Sequence, residues 1–351
     1  MTEHPFSPTL KPMEARTRTT FPGDGWAYEP KWDGFRCLAW SAPVLRLDSR
    51  NERPLLRYFP ELLPALEALP TGTLVDGEVV VVHDDVLDFD LLQNRLHPAA
   101  SRVERLSREI PAQLVAFDLL ALDGEDLTRR PFAERRAALE RLAADLPAPW
   151  NLTPSTTDLA TAERWFDAYE AAGCDGIVAK RLDGAYAFAE RAMAKVKHRR
   201  SVDTVVVGFR EHTDTKGVAG EGKVGSLLLA LYDEVTGELH HVGHCSGLKD
   251  AQREELYTLL SRYARDDHGL SDEPSEPSRW SGDKDMTWVP VDPALVLQVS
   301  HDQMLHGRFR HAARFERWRP DKDPAECTTA QLAPPEGPGF SEVVATGGGA
   351  A

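Results

Sequence analysis

The sequence predicts an α+β protein of two domains, and the patterning along the chain supports this fold class. Over residues 21–200, short runs rich in Val, Ile and Leu alternate with segments whose apolar residues recur at helical spacing. Over residues 201–330, several strand patterns surround one amphipathic helix, which suits a small barrel of the OB type. We expect residues 1–20 to be an N-terminal extension, and residues 331–351, rich in Pro and Gly, to be disordered.

Composition and periodicity predict the elements of the first domain. Residues 74–82, 114–120 and 176–180 are rich in Val, Ile or Leu and are bounded by turn residues, so each predicts a strand. Residues 131–146 predict a helix, because proline is favoured in a first helical turn and the apolar residues that follow share one face. A second helix is predicted from about residue 158 to residue 172.

In the second domain the pattern of predicted elements differs, because strands predominate. Residues 202–209, 225–232 and 238–243 predict three strands joined by turns. Residues 249–265 predict a helix, since their large apolar side chains recur at i, i+3, i+4 and i+7. Residues 294–300 predict a last strand, which precedes a basic segment.

Composition indicates a soluble protein of the cytoplasm. Hydrophobic residues make up 42% of the chain and charged residues 28%, the balance of a globular protein. The chain contains no long apolar run and its first residues lack an apolar core, so we expect neither a membrane segment nor a secretory signal. The 4 cysteines form no CxxC pair, which favours free thiols in a reducing compartment.

Net charge alone argues against a nucleic-acid partner. The formal charge of −15 at pH 7 differs from the basic footprint that phosphate binding usually leaves. Charge is local, however, and between residues 302 and 322 there are 6 basic side chains against 3 acidic ones. A nucleic-acid partner therefore requires support from motifs.

A candidate nucleophile lies in the segment Lys31-Trp32-Asp33-Gly34. Lysine becomes a nucleophile when it loses its proton, which a partly desolvated, cation-rich pocket favours. Arg36 follows closely and supplies positive charge for a phosphate, and Gly34 lets the backbone approach a ligand. Four residues of this kind also arise by chance, as a surface lysine before an Asp-Gly turn.

Further chemical groups stand on the predicted strands. Glu78 interrupts an apolar run, where an unpaired carboxylate is costly, and Asp175 heads another such run. Phe117 lies near the end of a strand, where an aromatic ring can stack on a purine. Lys195 and Lys197 share one face of an extended segment, because strand side chains alternate, and together suit a phosphate.

In this order, these residues resemble the covalent nucleotidyltransferase family, and specifically the small stand-alone ATP-dependent DNA ligases of bacteria. The resemblance covers about residues 20–325 and includes residues 314–322, which look like the motif of the family's barrel domain. It implies an adenylation domain with antiparallel sheets and flanking helices over residues 21–200. A C-terminal OB-fold barrel over residues 201–330 would follow.

The resemblance also implies roles for individual residues. Lys31 would attack the α-phosphorus of ATP and hold AMP as a phosphoramidate. Glu29 would read the adenine edge, and Phe117 would stack on the ring, with Ile177 and Val178 against its other face. The implied contacts to ATP or AMP are Glu29, Arg36, Arg50, Glu78, Phe117, Ile177, Lys195, Lys197, Arg319 and Lys322.

A divalent metal is implied as well. Asp175 would hold Mg²⁺, or Mn²⁺, and Glu78 would bind either this metal or the ribose, because magnesium takes carboxylates together with substrate phosphates. Asp175 departs from the family pattern, since the fourth motif more often begins with Glu, which is one methylene longer. The distance to the metal, or its affinity, would then differ.

Three chemical steps follow from the resemblance: adenylation of Lys31, transfer of AMP to a 5′-phosphate, and attack by a 3′-hydroxyl. The implied substrate is nicked double-stranded DNA, with DNA repair or end-joining proteins as further partners. We expect a monomer, located in the cytoplasm with the nucleoid. A motif on the barrel that serves only the first step must later withdraw, so we hypothesise a hinge near residues 199–202.

Two other functions stay open at this point. An RNA ligase or an mRNA-capping nucleotidyltransferase would use the same lysine chemistry, and a catalytically idle DNA-binding module would keep only the fold.

Other patterns in the sequence are weaker. Residues 217–224 resemble a P-loop, but they lack the hydroxyl that a magnesium ion needs and are followed by a strand. His240, His241, His244 and Cys245 are a weak zinc pattern, and Arg135 with Arg136 is expected on the surface.

Overall fold

The structure is a computed structural model that describes residues 4–215, 222–267, 269–271, 287–302, 304–305, 307–333 and 335–347. The contacts divide these residues into two units. The first contains the described residues up to His198 together with those after Pro334, and the second contains those from Arg199 to Ala333. No helix in the described part of the chain combines the length and apolar character needed to cross a bilayer.

Two sheets with flanking helices form the first unit. Its strands are β1 (Ala15–Arg18), β2 (Trp26–Pro30), β3 (Phe35–Trp40), β4 (Arg46–Ser49), β5 (Leu74–His83), β6 (Val86–Leu87), β7 (Ala112–Leu122), β8 (Glu125–Asp126), β9 (Trp150–Leu152), β10 (Gly176–Arg181) and β11 (Met193–Lys197). Its helices before the second unit are α1 (Leu63–Glu67), α2 (Phe89–Asn94), α3 (Ala100–Glu109), α4 (Phe132–Ala143) and α5 (Leu159–Ala168).

The strand order explains how distant segments of sequence meet. One sheet runs β4-β3-β5-β7-β8, with β6 beside β5 and β9 beside β7, and the other runs β1-β11-β10-β2. In the first sheet Arg36 lies opposite Glu78. In the second, Val178 lies opposite both Glu29 and Lys195. Because directly opposed residues project from the same face, each sheet presents a row of these side chains on one side.

The described residues of the second unit form an antiparallel sheet with one α-helix. Its elements are β12 (Arg200–Glu211), β13 (Val224–Tyr232), β14 (Leu239–Cys245), α6 (Asp250–Leu260), β15 (Val289–His301), β16 (Met304–Leu305), β17 (Arg308–Phe309) and β18 (Arg314–Trp318). The order is β14-β13-β12-β15-β18, and β16 pairs with β17 separately. Leu256 and Leu260 of α6 are buried in the core that these strands form.

The strands and helices predicted from the sequence are confirmed. The predicted strands correspond to β5, β7 and β10 in the first unit and to β12, β13, β14 and β15 in the second. The predicted helices correspond to α4, α5 and α6, and each ends three to five residues earlier than expected. For α6 the reason is visible, because a 3₁₀ turn over Ser261–Tyr263 replaces the last predicted turn.

The prediction of a separate N-terminal extension is wrong for the described residues before position 21. Strand β1 pairs in parallel with β11, placing Thr17 opposite Lys195. Met13 is buried, and its carbonyl accepts a hydrogen bond from Arg36. The segment is polar on average, yet buried Pro12 and Met13, together with partly buried Phe6 and Leu10 and the strand pairing, make it part of the first unit.

The prediction of a disordered C-terminal tail is wrong for residues 335–347. Helix α7 (Phe340–Ala345) packs on the first unit, where Phe340 and Val343 are buried. The ring of Phe340 meets that of Trp32, beside the candidate nucleophile, with centroids 5.6 Å apart. Prolines and glycines dominate the composition of the tail, but Phe340, Val343 and Val344 have the i, i+3, i+4 spacing of a docking helix.

Asp85 holds the start of α7 in place. Its carbonyl accepts from the Phe340 amide at 2.6 Å, and its carboxylate accepts from the Ser341 amide at 2.9 Å and from the Ser341 hydroxyl at 2.8 Å. These hydrogen bonds are exposed, so their contribution is modest.

We expect Asp85→Ala to release α7 without unfolding the first unit. Loss of the two carboxylate bonds should weaken docking by about 1–2 kcal/mol, which raises the rate of proteolysis in the tail about 5- to 30-fold. Asp84→Ala is the matched control, because Asp84 also has a positive φ, 49° against 61° for Asp85. Equal proteolysis of the two variants would contradict the anchoring role.

Candidate active site

Lys31 directly follows β2 and is fixed by two backbone hydrogen bonds. Its amide donates to the carbonyl of Gly176, and its carbonyl accepts from the amide of Asp175, each at 2.8 Å. The side chain is 21% exposed, and its Nζ lies 2.8 Å from the Asp175 carboxylate. The candidate nucleophile is therefore half-buried and held in register with the head of β10.

Seven of the predicted site residues line one pocket in the first unit. They are Glu29, Lys31, Arg36, Arg50, Glu78, Phe117 and Lys195. Segments separated by more than 160 residues in sequence thus converge around one amine. Three expected cations and two expected carboxylates thus share this cavity with Lys31, whereas Asp175 and Lys197 are not among its lining residues.

Asp175 lies between two lysines. Its Oδ2 is 2.8 Å from Lys31 Nζ and 2.7 Å from Lys197 Nζ. Burial alone raises the pKa of Asp175, but Lys31 and Lys197 outweigh burial and lower it. Lys197, predicted as a phosphate contact, therefore neutralises this carboxylate in the structure.

The protonation of Lys31 differs from the expectation of a cation-rich, deprotonating pocket. Burial alone lowers the pKa of Lys31, but the surrounding carboxylates, Asp175 foremost, together outweigh burial and raise it. Asp33 and Glu78 add to the rise. Without a nucleotide, the amine is held as an ammonium, because carboxylates rather than cations are its nearest neighbours.

Glu78 is a buried acid with an altered pKa. Burial raises the pKa of Glu78 to about 7, although Arg36 and Lys31 partly oppose the rise. Lys195 also departs from its usual value, because burial lowers its pKa and repulsion from Lys31 and Lys197 lowers it further. The pocket thus contains one acid that changes charge near neutral pH, Glu78, and one lysine, Lys195, whose charged form is disfavoured by burial and by neighbouring lysines.

Arg36 makes more contacts with other residues of the protein than the sequence indicated. Its guanidinium makes two hydrogen bonds of 2.5 Å to the carboxylate of Asp76, which is fully buried and also accepts from the Tyr186 hydroxyl at 2.5 Å. The same guanidinium lies over the Phe117 ring, 4.6 Å from its centroid. Arg36 therefore fixes the ring and the strand while it lines the pocket.

The prediction that Ile177 contacts the purine is wrong. Ile177 is 1% exposed and packs with Tyr28 in a core on the other side of β10. Val178 lines the pocket. Side chains alternate along a strand, so only one residue of this pair can face the ligand, and the register places Val178 there.

Lys180 is a pocket residue that sequence reasoning missed. It is 3% exposed, and its Nζ lies 2.7 Å from Glu29 Oε2 and 2.6 Å from the carbonyl of Phe117. A signal was present, since Lys180 follows Val178 by two positions and therefore projects from the same face of β10.

The expectation that Arg135 and Arg136 lie on the surface is also wrong. Arg135 is 1% exposed and makes two hydrogen bonds to Asp118, at 2.8 and 2.9 Å. Arg136 is 7% exposed, and its Nη1 lies 3.7 Å from Glu29 Oε1. The spacing of the apolar residues in α4 does not predict that its two consecutive arginines point inward, toward buried acids.

Arg319 and Lys322 are in the second unit and share one partner there. The Oδ2 atom of Asp203 accepts from Arg319 at 2.8 Å and from Lys322 at 3.0 Å. Arg319 also bonds Asp321. Asp203 is 7% exposed and was not predicted as a site residue, although a carboxylate inside the apolar run of β12 was a visible signal.

The two patterns set aside in the sequence have different outcomes. Among the residues that the structure describes, no three His, Cys, Asp or Glu side chains are grouped as a metal site. The near P-loop lies largely outside the described residues, which exclude 216–221.

Comparison with known protein families gives two matches. Residues 10–197 match the family described as ATP dependent DNA ligase domain, and residues 220–322 match the ATP dependent DNA ligase C terminal region. The first match covers more than half of the chain and includes every pocket residue named above.

Several curated proteins are similar along almost the whole chain. DNA ligase C2 of Mycolicibacterium smegmatis is 46% identical over 347 residues, which cover 94% of this chain and 96% of the relative. DNA ligase C of Mycobacterium tuberculosis is 44% identical over 358 residues, covering 97% and 98%. The multifunctional non-homologous end joining protein LigD of Mycobacterium bovis is 33% identical over 314 residues, covering 86% of this chain and 37% of the relative.

Among solved structures, one from a structure-function analysis of Lig E DNA ligases superposes with a TM-score of 0.53 at 15% identity. The match covers 89% of this chain and 100% of that chain. At this identity, the likeness concerns the fold alone.

Proposed function

This chain belongs to the ATP-dependent DNA ligase family, and on that premise we propose that Lys31 carries AMP while the protein seals nicks in duplex DNA. The convergence of Lys31, Glu78 and Lys195 on one pocket carries the proposal. Nucleotidyl transfer depends on positioning and on cations that neutralise developing charge, and this pocket supplies both.

Adenylation would proceed by attack of the Lys31 amine on the α-phosphorus of ATP. A nitrogen–phosphorus bond forms, the bond to the β-phosphate oxygen breaks, and pyrophosphate leaves with that electron pair. The ammonium must first release a proton to solvent, which Asp175 opposes by its ion pair at 2.8 Å. Lys195 and Arg50 line the same pocket and would contact the phosphates, and Lys197 would join them once its pairing with Asp175 loosens.

Glu78 and Asp175 would hold the divalent metal that the family implies. Magnesium binds one or two carboxylates together with phosphates and water, so a three-carboxylate cage is unnecessary. The raised pKa of Glu78 marks a buried acid that a cation would stabilise in its ionised form. When bound, the metal would neutralise phosphate charge and compete with Lys31 for Asp175.

The purine would lie between Phe117 and Val178, with its edge toward Glu29. Phe117 offers the aromatic face, and Val178 offers an apolar surface in the same pocket. Glu29 also lines the cavity and is 2% exposed.

For the second unit, we propose an OB-type barrel built on the five-stranded sheet, with Arg319 and Lys322 orienting the β- and γ-phosphates of ATP. Both side chains carry positive charge on the segment where the sequence is basic. Asp203 would keep them preorganised, because one buried oxygen accepts from both.

The DNA substrate would have a 5′-phosphate and a 3′-hydroxyl at the nick. The relatives are named DNA ligases, and one is named a non-homologous end joining protein, so we place this activity in DNA repair or end joining. We propose that the protein acts as a monomer in the cytoplasm, at the nucleoid.

A matched set of nicked DNA and nicked RNA duplexes, each with ATP or GTP, tests the assignment of DNA as substrate and ATP as nucleotide. Sealing of RNA in preference to DNA would overturn it.

The pH dependence of adenylation should report Glu78. At subsaturating ATP and metal, where the groups of the free protein set the rate, we expect its logarithm to rise below about pH 7 with a slope of about 2, because Glu78 and Lys31 must both be deprotonated. Above it the slope should fall to about 1, since the pKa of Glu78 is about 7 while that of Lys31 is raised. Single-turnover labelling from pH 6 to 8 measures this, and Glu78→Gln should show a slope of about 1 throughout. A wild-type slope that is constant would contradict the role of Glu78.

Arg319→Ala should slow the first step and spare the last. We expect adenylation of Lys31 to fall about a hundredfold, while sealing of DNA that already carries AMP changes little. Arg317→Ala is the control, because Arg317 lies on the adjacent strand β18 and bonds Gln298 at 2.8 Å. Equal losses in both assays would contradict the phosphate-orienting role.

A further inference from the structure

Lys180 is the pocket cation that the proposed ligation chemistry leaves without a role. Its ammonium is 3% exposed and donates to the Phe117 carbonyl at 2.6 Å and to Glu29 Oε2 at 2.7 Å. It also lies over two aromatic rings, 4.7 Å from the centroid of Phe117 and 4.6 Å from that of Phe132. A desolvated lysine with this many directed contacts is held in one position.

The position of Lys180 makes the two oxygens of Glu29 unequal. Oε2 is paired with the Lys180 ammonium, whereas Oε1 is buried with no hydrogen-bond partner among the described residues. Arg136 Nη1 lies 3.7 Å from Oε1, which is too long for a hydrogen bond, and this nitrogen has no hydrogen-bond partner among the described residues either. Glu29 lines the nucleotide pocket, so this unsatisfied acceptor belongs to a residue of the cavity wall.

A buried acceptor without a donor is costly, and it favours ligands that bring one. The 6-amino group of adenine is a donor, whereas the 6-oxygen of guanine is an acceptor that would face a carboxylate oxygen. We propose that Lys180 is a positioning residue for nucleotide choice, which holds Glu29 ionised and turned so that Oε1 accepts from adenine and rejects guanine. The inference rests on the proposed adenylation of Lys31.

The electrostatics agree with this geometry. Burial raises the pKa of Glu29, and Lys180 and Arg136 oppose that rise. Loss of Lys180 would therefore favour the protonated acid, which can donate to a guanine 6-oxygen. The same substitution would also free the side chain to turn, because the bond to Oε2 is lost.

Single-turnover labelling of Lys31 by ATP and by GTP tests the proposal. Lys180→Met should reduce the ratio of the two efficiencies about 10- to 100-fold, the range that one hydrogen bond to a charged group supports. Glu29→Gln should reduce the ratio as well, and Lys180→Met in that background should reduce it no further. A double variant with the sum of both effects would overturn the link between the two residues.

Arg95→Met is the matched control for loss of a buried cation. Arg95 is fully buried, pairs with Glu61 and lies outside the pocket, so its loss should lower thermal stability and leave the ATP-to-GTP ratio unchanged. A Lys180→Met protein that loses activity with ATP but keeps the wild-type ratio would show a merely structural role and overturn the proposal.

Two further measurements keep the test decisive. If Lys180→Met does not fold, Lys180→Gln should fold and still lower the ratio. Wild-type protein should also be labelled poorly by inosine triphosphate, which carries an oxygen in place of the 6-amino group. Equal labelling by ATP and inosine triphosphate would overturn the acceptor role of Glu29. Failure of the wild type to form any lysyl-AMP would instead refute the proposed function.

Discussion

Lys31→Ala protein incubated with ATP and a divalent cation should carry no covalent AMP. We expect sealing of nicks with a 5′-phosphate to fall on the order of 10⁴-fold or more, the scale on which loss of a catalytic nucleophile acts. The physical reason is that no other amine in the pocket is placed like Lys31, whose backbone is fixed between Asp175 and Gly176. Intact mass before and after ATP exposure measures the adduct directly.

Lys31→Arg separates charge from nucleophilicity. Arginine can keep the ion pair with Asp175, but it stays protonated at any usable pH and cannot attack phosphorus. We therefore expect no adduct in this variant, with thermal stability near that of the wild type. Lys11→Ala, at an exposed lysine, should be adenylated normally. Detection of AMP on the Lys31→Ala protein would contradict the assignment.

Asp118→Ala should be the most destabilising single change in the first unit that we predict. Asp118 and Arg135 are almost completely buried and share two hydrogen bonds, so removal of the acid leaves an unpaired buried cation. Breaking such a pair costs about 3–5 kcal/mol. For a unit of this size, the midpoint of thermal unfolding should fall by about 6–20 °C.

Removing both partners tests whether the penalty comes from the orphaned charge. Asp118→Leu combined with Arg135→Met should recover most of the lost stability, because two apolar side chains replace a pair that was costly to desolvate. Calorimetry on the single and double variants distinguishes the two cases. If the double variant is as unstable as Asp118→Ala, packing rather than charge dominates at this position.

The sequence was sufficient to locate the regular elements. Strands β5, β7 and β10 are rich in Val, Ile and Leu. Because both faces of these strands are largely buried, each appears in the sequence as a nearly continuous apolar run, which is easy to recognise. Motif order was likewise sufficient to identify Lys31, Glu78 and Asp175 as neighbours. These predictions depend on local composition and on the order of the family's motifs, and both can be read from the sequence alone.

What the sequence did not show depends on side-chain direction and on long-range pairing. The choice between Ile177 and Val178 requires the register of β10 against β2 and β11. The inward turn of Arg136 and Lys180 depends on a buried Glu29, which lies more than 100 residues away. The protonation of Lys31 was also misjudged, because its nearest partner in space is a carboxylate.

The docking of α7 has a consequence for biosynthesis. The chain leaves the first unit at His198 and returns to it after Pro334, so residues 199–333 are an insertion within one folding unit. At ribosomal speeds those residues take about 7–27 s to make. Throughout that interval Trp32, which lines the pocket, lacks its contact with Phe340. Premature release from the ribosome would thus yield proteins in which this tryptophan of the pocket wall is not packed against α7.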